Sequence, residues 1–136
     1  MKILLKKPLM QDQQLYEYAV IRIVPRVERE EFINAGIIVF CKEQDYLACK
    51  TFLSEERLLC IYAEADLDQI NRNLKAFEEI ATGQRSESAI AQLDKPSRFR
   101  WLTATRSTVV QTSKVHPGLC SNPEELIQKL FEQLVK

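Results

Sequence analysis

Apolar and polar positions alternate most clearly in "LYEYAVIRIV", residues 15 to 24, which sets Tyr16, Tyr18, Val20, Arg22 and Val24 against Glu17, Ala19, Ile21 and Ile23. A period of two in aromatic and β-branched residues predicts a strand. Both faces are apolar over its second half, which predicts a central position in a sheet. Pro25 has no N–H for a ladder and ends it. The charged passage "RVEREEFINAG" follows, and Gly36 permits a positive φ or a bulge on entry to the strand "IIVFC". "KEQD" reads as a hairpin loop before a third strand, Tyr46 to Phe52.

Helical spacing takes over next. Ser54 is placed to cap a short helix over "EERLLCIY". Asp66 and Gln69 form a capping box ahead of Leu67, Ile70, Leu74, Phe77 and Ala81, with Gly83 as the stop. "SESAIAQL" predicts one more short helix, closed by Pro96, and Gly83 to Ser88 reads as the most mobile connection. "RFRWL" is then read as extended, with Arg98 and Arg100 alternating against Phe99 and Trp101. "STVVQTS" predicts a fourth strand and "HPGLCSN" a turn. Asn122, Pro123 and Glu125 start a terminal helix whose apolar face is Ile127, Leu130, Phe131 and Leu134. The pattern predicts an α+β fold: a mainly antiparallel sheet of about four strands with helices packed on one face. Residues 1–136 form a single expected domain, with 1–14 a loosely attached N-terminal segment.

Charge changes this picture only locally. Nineteen basic residues balance nineteen acidic ones, so no global field draws the chain toward nucleic acid or anionic membrane. Yet no aspartate or glutamate occurs from Lys95 through Pro123, a window holding Arg98, Arg100, Arg106 and Lys114. Alternating cations and aromatics suit a phosphate backbone with stacked bases; equally, Phe99 and Trp101 can be core anchors and the arginines solvated or paired with Glu28, Glu30 or Glu31. Arg22, on a central strand, needs a partner, for which Glu30 is the preferred acid, or else snorkels to a sheet edge.

"MKILLKKPLM" is too short in its apolar run for a signal peptide, and no apolar run is long enough to span a bilayer, so a cytoplasmic protein is expected. Cys41, Cys49, Cys60 and Cys120 show neither a CxxC pair nor zinc-ligand spacing to histidine, and are read as free thiols behaving as small apolar side chains; no metal and no cofactor is expected. His116, the only histidine, is the one weak candidate for a general base.

Two blocks carry a family resemblance: "YAVIRIVPRVEREEFINAGIIVF", residues 18 to 40, and "RFRWLTATRSTVVQTSKVHPGL", residues 98 to 119. With the closing "LIQKLFEQLV" they resemble the bacterial domain-of-unknown-function family 3037 from about Leu15 onward. By that resemblance the family-pattern positions are Arg22, Pro25, Arg26, Glu28, Arg29, Glu30, Asn34 and Gly36, then Arg98, Phe99, Arg100, Trp101, Arg106, Ser107, Gln111, His116 and Gly118. It assigns no activity. It implies an accessory role, because such proteins are often encoded beside kinase-like proteins resembling the HipA toxins, which makes a HipA-like kinase an expected protein partner.

If the first and fourth strands are neighbours, Arg22, Arg26, Arg29, Glu30 and Asn34 face Arg98, Arg100, Arg106 and His116 across a cleft, with Trp101 beside them. Arginine forks there would hold a phosphate or carboxylate; the alternative is an arginine–glutamate network that only pins a loop to the sheet. The leading expectation is a non-enzymatic binding module engaging a partner protein or an anionic ligand. Nucleic-acid binding is the second reading, and a hydrolase with His116 as base the third.

Overall fold

The computed structural model describes residues 13–83 and 88–136, so most of the N-terminal segment, including "MKILLKKPLM", and most of the Gly83 to Ser88 connection lie outside the described residues. The fold is α+β. Five antiparallel strands, β1 (Gln14–Ile23), β2 (Ile33–Cys41), β3 (Tyr46–Thr51), β4 (Val110–Thr112) and β5 (His116–Cys120), form one sheet in the order β3-β2-β1-β4, with β5 also on β1. Among the described residues four α-helices accompany it: α1 (Glu55–Ile61), α2 (Leu67–Thr82), α3 (Lys95–Leu102) and α4 (Pro123–Leu134).

The alternation in β1 decides the layers. Ala19, Ile21 and Ile23 join Ala35, Ile38 and Phe40 of β2 under Leu58, Leu74, Phe77, Phe99 and Leu102 from the first three helices. Val20, Ile37 and Val39 face the other way, under Ile127, Leu130 and Phe131 of α4. Helices therefore cover both faces rather than one, because β1 and β2 are apolar on both sides, as a central strand must be when each face is covered. Each large side chain fully buried this way is worth roughly 1.5–3 kcal/mol.

The caps expected of the helices form. Ser54 accepts from the Arg57 N–H, Asp66 from Gln69 and Asn122 from Glu124 and Glu125, and Gly83 closes α2 at φ 70°. Gly36 lies inside β2 at a bulge: Ile21 pairs with Gly36 but Arg22 with Asn34, leaving Ala35 as the extra residue. A Cβ on Gly36 would meet the Lys50 carbonyl at 2.8 Å.

Three local expectations are corrected. "RFRWL" is not extended but helical, in α3. Asp94 caps it by accepting from the Ser97 N–H and Pro96 occupies its first turn, so this proline opens a helix instead of closing one. In place of the short helix expected of "SESAIAQL", its described residues, 88–93, form a 3-10 turn at Ile90–Gln92. "HPGLC" is strand β5 rather than a turn, because an edge strand tolerates Pro117 and because Gly118 lies where the Tyr16 ring crosses it, 2.5 Å from any added Cβ.

The second edge of β1 is shared. Arg22 pairs with Gln111 on β4 and Tyr18 with His116 on β5, so four steps along β1 oppose five on the returning chain. The surplus residue is a bulge between β4 and β5. Ser113 donates its N–H to the Val20 carbonyl at 2.8 Å, but the Val20 N–H donates to the Ser113 hydroxyl, at 2.9 Å, where a regular ladder would offer the Ser113 carbonyl. The buried hydroxyl itself donates to the Lys114 carbonyl. Ser113→Ala leaves the Val20 N–H without its acceptor and should lower unfolding free energy by about 1–3 kcal/mol, read as a lower urea midpoint at unchanged slope. Ser113→Thr, which keeps the hydroxyl, should recover most of the loss.

Candidate functional site

Arg22 alternates with Ile21 and Ile23, whose side chains enter the core under α1 to α3, so it projects from the face that α4 covers. That helix stops short of it. Its Leu134 carbonyl accepts from Asn34 Nδ2 at 2.9 Å, and Asn34 is the register partner of Arg22. Beyond the helix end lies a recess of about 340 Å³ walled by Arg22, Val24, Val27, Glu30, Phe32, Thr105, Arg106, Ser107 and Gln111. The first and fourth strands do meet, and their polar residues converge there in part.

Within the recess the Arg22 guanidinium lies over the Phe32 ring, 4.2 Å from its centroid. Its Nε is buried with no hydrogen-bond partner among the described residues, and no ion pair joins it to Glu30. Stacking on a ring offsets part of the cost of burying a guanidinium, about 0.5–2 kcal/mol, but leaves the buried Nε–H without an acceptor. Glu30 reaches the same wall from a left-handed backbone, φ 56°, at the end of the 3-10 turn Val27–Arg29.

Arg106 forms the outer wall. Its guanidinium stacks on Trp101, 4.0 Å from the ring centroid, and donates to the Trp101 carbonyl. Burial pushes its pKa down from the ordinary value, although a guanidinium stays charged at any physiological pH. Arg106 also lines a second cavity, an apolar groove of about 400 Å³ between α2, α3 and β4, with Ala76, Phe77, Ile80, Trp101, Leu102 and Val110. Trp101 is 40% exposed there.

The remaining candidates lie elsewhere. Arg98 is 8% exposed and caps α2, donating to the Leu93 carbonyl at 2.7 Å and the Ala81 carbonyl at 3.5 Å, with its guanidinium against Gly83. It left the cleft because a helical "RFRWL" sends Arg98 and Phe99 inward and Arg100 and Trp101 outward. Phe99 stacks on Phe40 in the core. Arg100 is exposed on α3. Arg26 and Arg29 turn outward, each paired with the carboxylate two residues on, Glu28 at 2.8 Å and Glu31 at 2.7 Å. The bond from Arg29 holds the Glu31 carboxyl below its usual range, and Glu28 is lowered first by its own backbone N–H and then by Arg26. Such exposed pairs add little stability. Asn34 serves as the cap of α4. His116 stands exposed on β5 with its ring 5.2 Å from Tyr18, outside the recess.

Sequence reasoning missed Phe32 and Gln111 as parts of this site, and with them Ser107 and Thr105. The signal for Gln111 was its place in β4, since the partner of Arg22 across an antiparallel pair must share its face. Among the described residues no group of three histidine, cysteine or acidic side chains could hold a metal, and no helix is long and apolar enough to cross a membrane.

A family model described as "Protein of unknown function (DUF3037)" matches residues 18–135. The chain belongs to that family. Both walls of the recess fall inside the DUF3037 match, from Arg22 to Phe32 and from Thr105 to Gln111. Searches of curated proteins and of solved structures return no match.

The four cysteines are free, but they are not alike: Cys41 and Cys120 are buried, Cys49 is half-buried, and Cys60 is exposed, unlike the small core side chain expected of it. Burial, aided by the Glu78 carboxylate, pushes the Cys49 thiol up to about 12. At pH 8 a thiol-disulfide reagent should label one cysteine rapidly, Cys60, and Cys49 only on unfolding. Because the folded pKa is raised above the usual value of 9.0, the protonated Cys49 favours the fold below pH 9, and that contribution fades as pH climbs toward 12. For the arginines, Arg98→Ala should cost about 1–3 kcal/mol in denaturant unfolding by orphaning two carbonyls, while Arg100→Ala should stay within about 0.5 kcal/mol of wild type.

Proposed function

We propose that this DUF3037 protein is a non-enzymatic binding module whose recess at the end of α4 takes the anionic group, carboxylate or phosphate, of a ligand or partner protein. The observation that carries this reading is the Arg22 guanidinium, held over Phe32 with a buried Nε that no described residue accepts from, in a cavity that Arg106 also lines. A buried donor without a partner is costly, and an incoming oxyanion would relieve that cost through charge-assisted bonds. Thr105, Ser107 and Gln111 add hydroxyl and amide donors to the same wall. Within this reading, a HipA-like kinase is the partner that the family resemblance names.

A second reading, binding of single-stranded nucleic acid, is favoured by one observation, the exposed Trp101 stacked with Arg106. It lacks the support once expected of Arg98 and Phe99, both of which are buried in the scaffold. Such binding would weaken steeply with salt, whereas capture of one anion by a partly buried fork would not.

The test is a titration with inorganic phosphate and, separately, with acetate, followed through the side-chain N–H signals of Arg22, Arg106 and Gln111. Saturable shifts at all three, weakened about tenfold or more by Arg22→Gln, are expected for loss of a charge-assisted pair. Absence of any shift from either anion at physiological salt defeats the anion reading. Oligonucleotide binding whose affinity falls by orders of magnitude between low and physiological salt would move the second reading to first place.

A further inference from the structure

We propose that the recess and the apolar groove are two halves of one docking surface, and that its occupant is an extended segment of a partner protein in which an acidic residue stands next to a large apolar one. This rests on the anion-binding reading of the recess and goes beyond it by assigning the groove and the form of the partner.

The two cavities lie on opposite faces of one sheet edge. β4 is the last strand on its side of the sheet among the described residues. Its consecutive residues divide between the cavities, Val110 lining the groove and Gln111 the recess, and Arg106 lines both. Val24 donates to the Val109 carbonyl and Ser113 to the Val20 carbonyl, so the residues bonded to β1 are 109, 111 and 113. Val110 and Thr112 thus turn their backbone groups outward, where the Val110 carbonyl accepts from the Thr108 hydroxyl.

An extended chain along such an edge sends neighbouring side chains to opposite faces. One enters the groove between Phe77, Ile80, Trp101 and Leu102, and the next reaches Arg22 and Arg106. Charge complementarity names the second: the recess presents two guanidinium groups against one carboxylate, Glu30, and no acidic residue occurs between Lys95 and Pro123. Composition names the first: apart from Asn73, Thr108 and Arg106 the groove is walled by apolar side chains around a half-exposed tryptophan stacked on arginine, two of the residue types enriched where interfaces concentrate their binding energy.

The experiment is selection from a random heptapeptide display library on the full chain, with affinities of recovered peptides read from Trp101 fluorescence, since this is the only tryptophan. The expected result is enrichment of an acidic residue adjacent to Leu, Ile, Phe or Trp. Replacing the apolar residue of a recovered peptide by serine, or introducing Ala76→Gln at the exposed helix position lining the groove, should each weaken binding about tenfold, as expected for one large side chain left unburied. Arg22→Gln should remove the acidic preference. Enrichment of acidic residues alone, with Ala76→Gln and the serine peptide binding like their parents, overturns the shared surface but spares the anion reading. Apolar enrichment indifferent to Arg22→Gln overturns both. No enrichment at all overturns the docking surface, while the phosphate and acetate titrations judge the recess independently.

Discussion

β1 gives one edge to β2 from Glu17 to Ile23 and divides the other between two short strands, and the division is made by the Ser113 hydroxyl bonded to the Val20 N–H. That bond lets the returning chain carry one surplus residue without leaving a buried donor unpaired. The geometry of the candidate site follows from it. Gln111 can stand beside Arg22 on the face of α4, and the residues before it can wrap from the Trp101 side of the sheet around to the recess, only because β4 is short and separately registered.

The acid-free stretch from Lys95 to Pro123 does not act through a broad positive field. Its arginines are held mostly by neutral partners: Arg98 by the carbonyl of Leu93 and that of Ala81 at the end of α2, and Arg106 by a carbonyl and an indole ring. Arg22, outside the stretch, lies on a phenyl ring. Guanidinium groups suit this use because they are planar and less strongly hydrated than an ammonium. Of the acids in the 26–31 passage, Glu28 and Glu31 are occupied with Arg26 and Arg29 on the surface, which leaves Glu30 as the one carboxylate of that passage in the recess.

Much of the fold was legible in the sequence. The alternation in β1, the capping box at Asp66 and the start of α4 at Asn122 are local signals whose physical meaning survives in the packed molecule. "RFRWL" misled because basic and aromatic residues alternate there while Phe99 and Leu102 also stand at helical spacing, and the deciding contact, the Ser97 N–H to Asp94, lies just upstream. "HPGLC" misled because proline and glycine punctuate turns, and only a tertiary contact, Tyr16 over Gly118, makes the strand intelligible. Of the site, the meeting of Arg22 with Arg106 was readable as soon as β1 and β4 were taken as neighbours. The groove was not, since it exists only once α3 is a helix.

The bulge at Ser113 also governs how the molecule meets its own copies. Without it, Val110 to Cys120 would run as one long border strand, a template on which a second chain could zip by backbone bonding alone, whatever its side chains. Interrupted after three residues, and with Pro117 lacking an N–H to offer farther along, that border supports only brief main-chain contact. A visitor must then be admitted by the fit of its side chains, and the fold trades adhesiveness for discrimination.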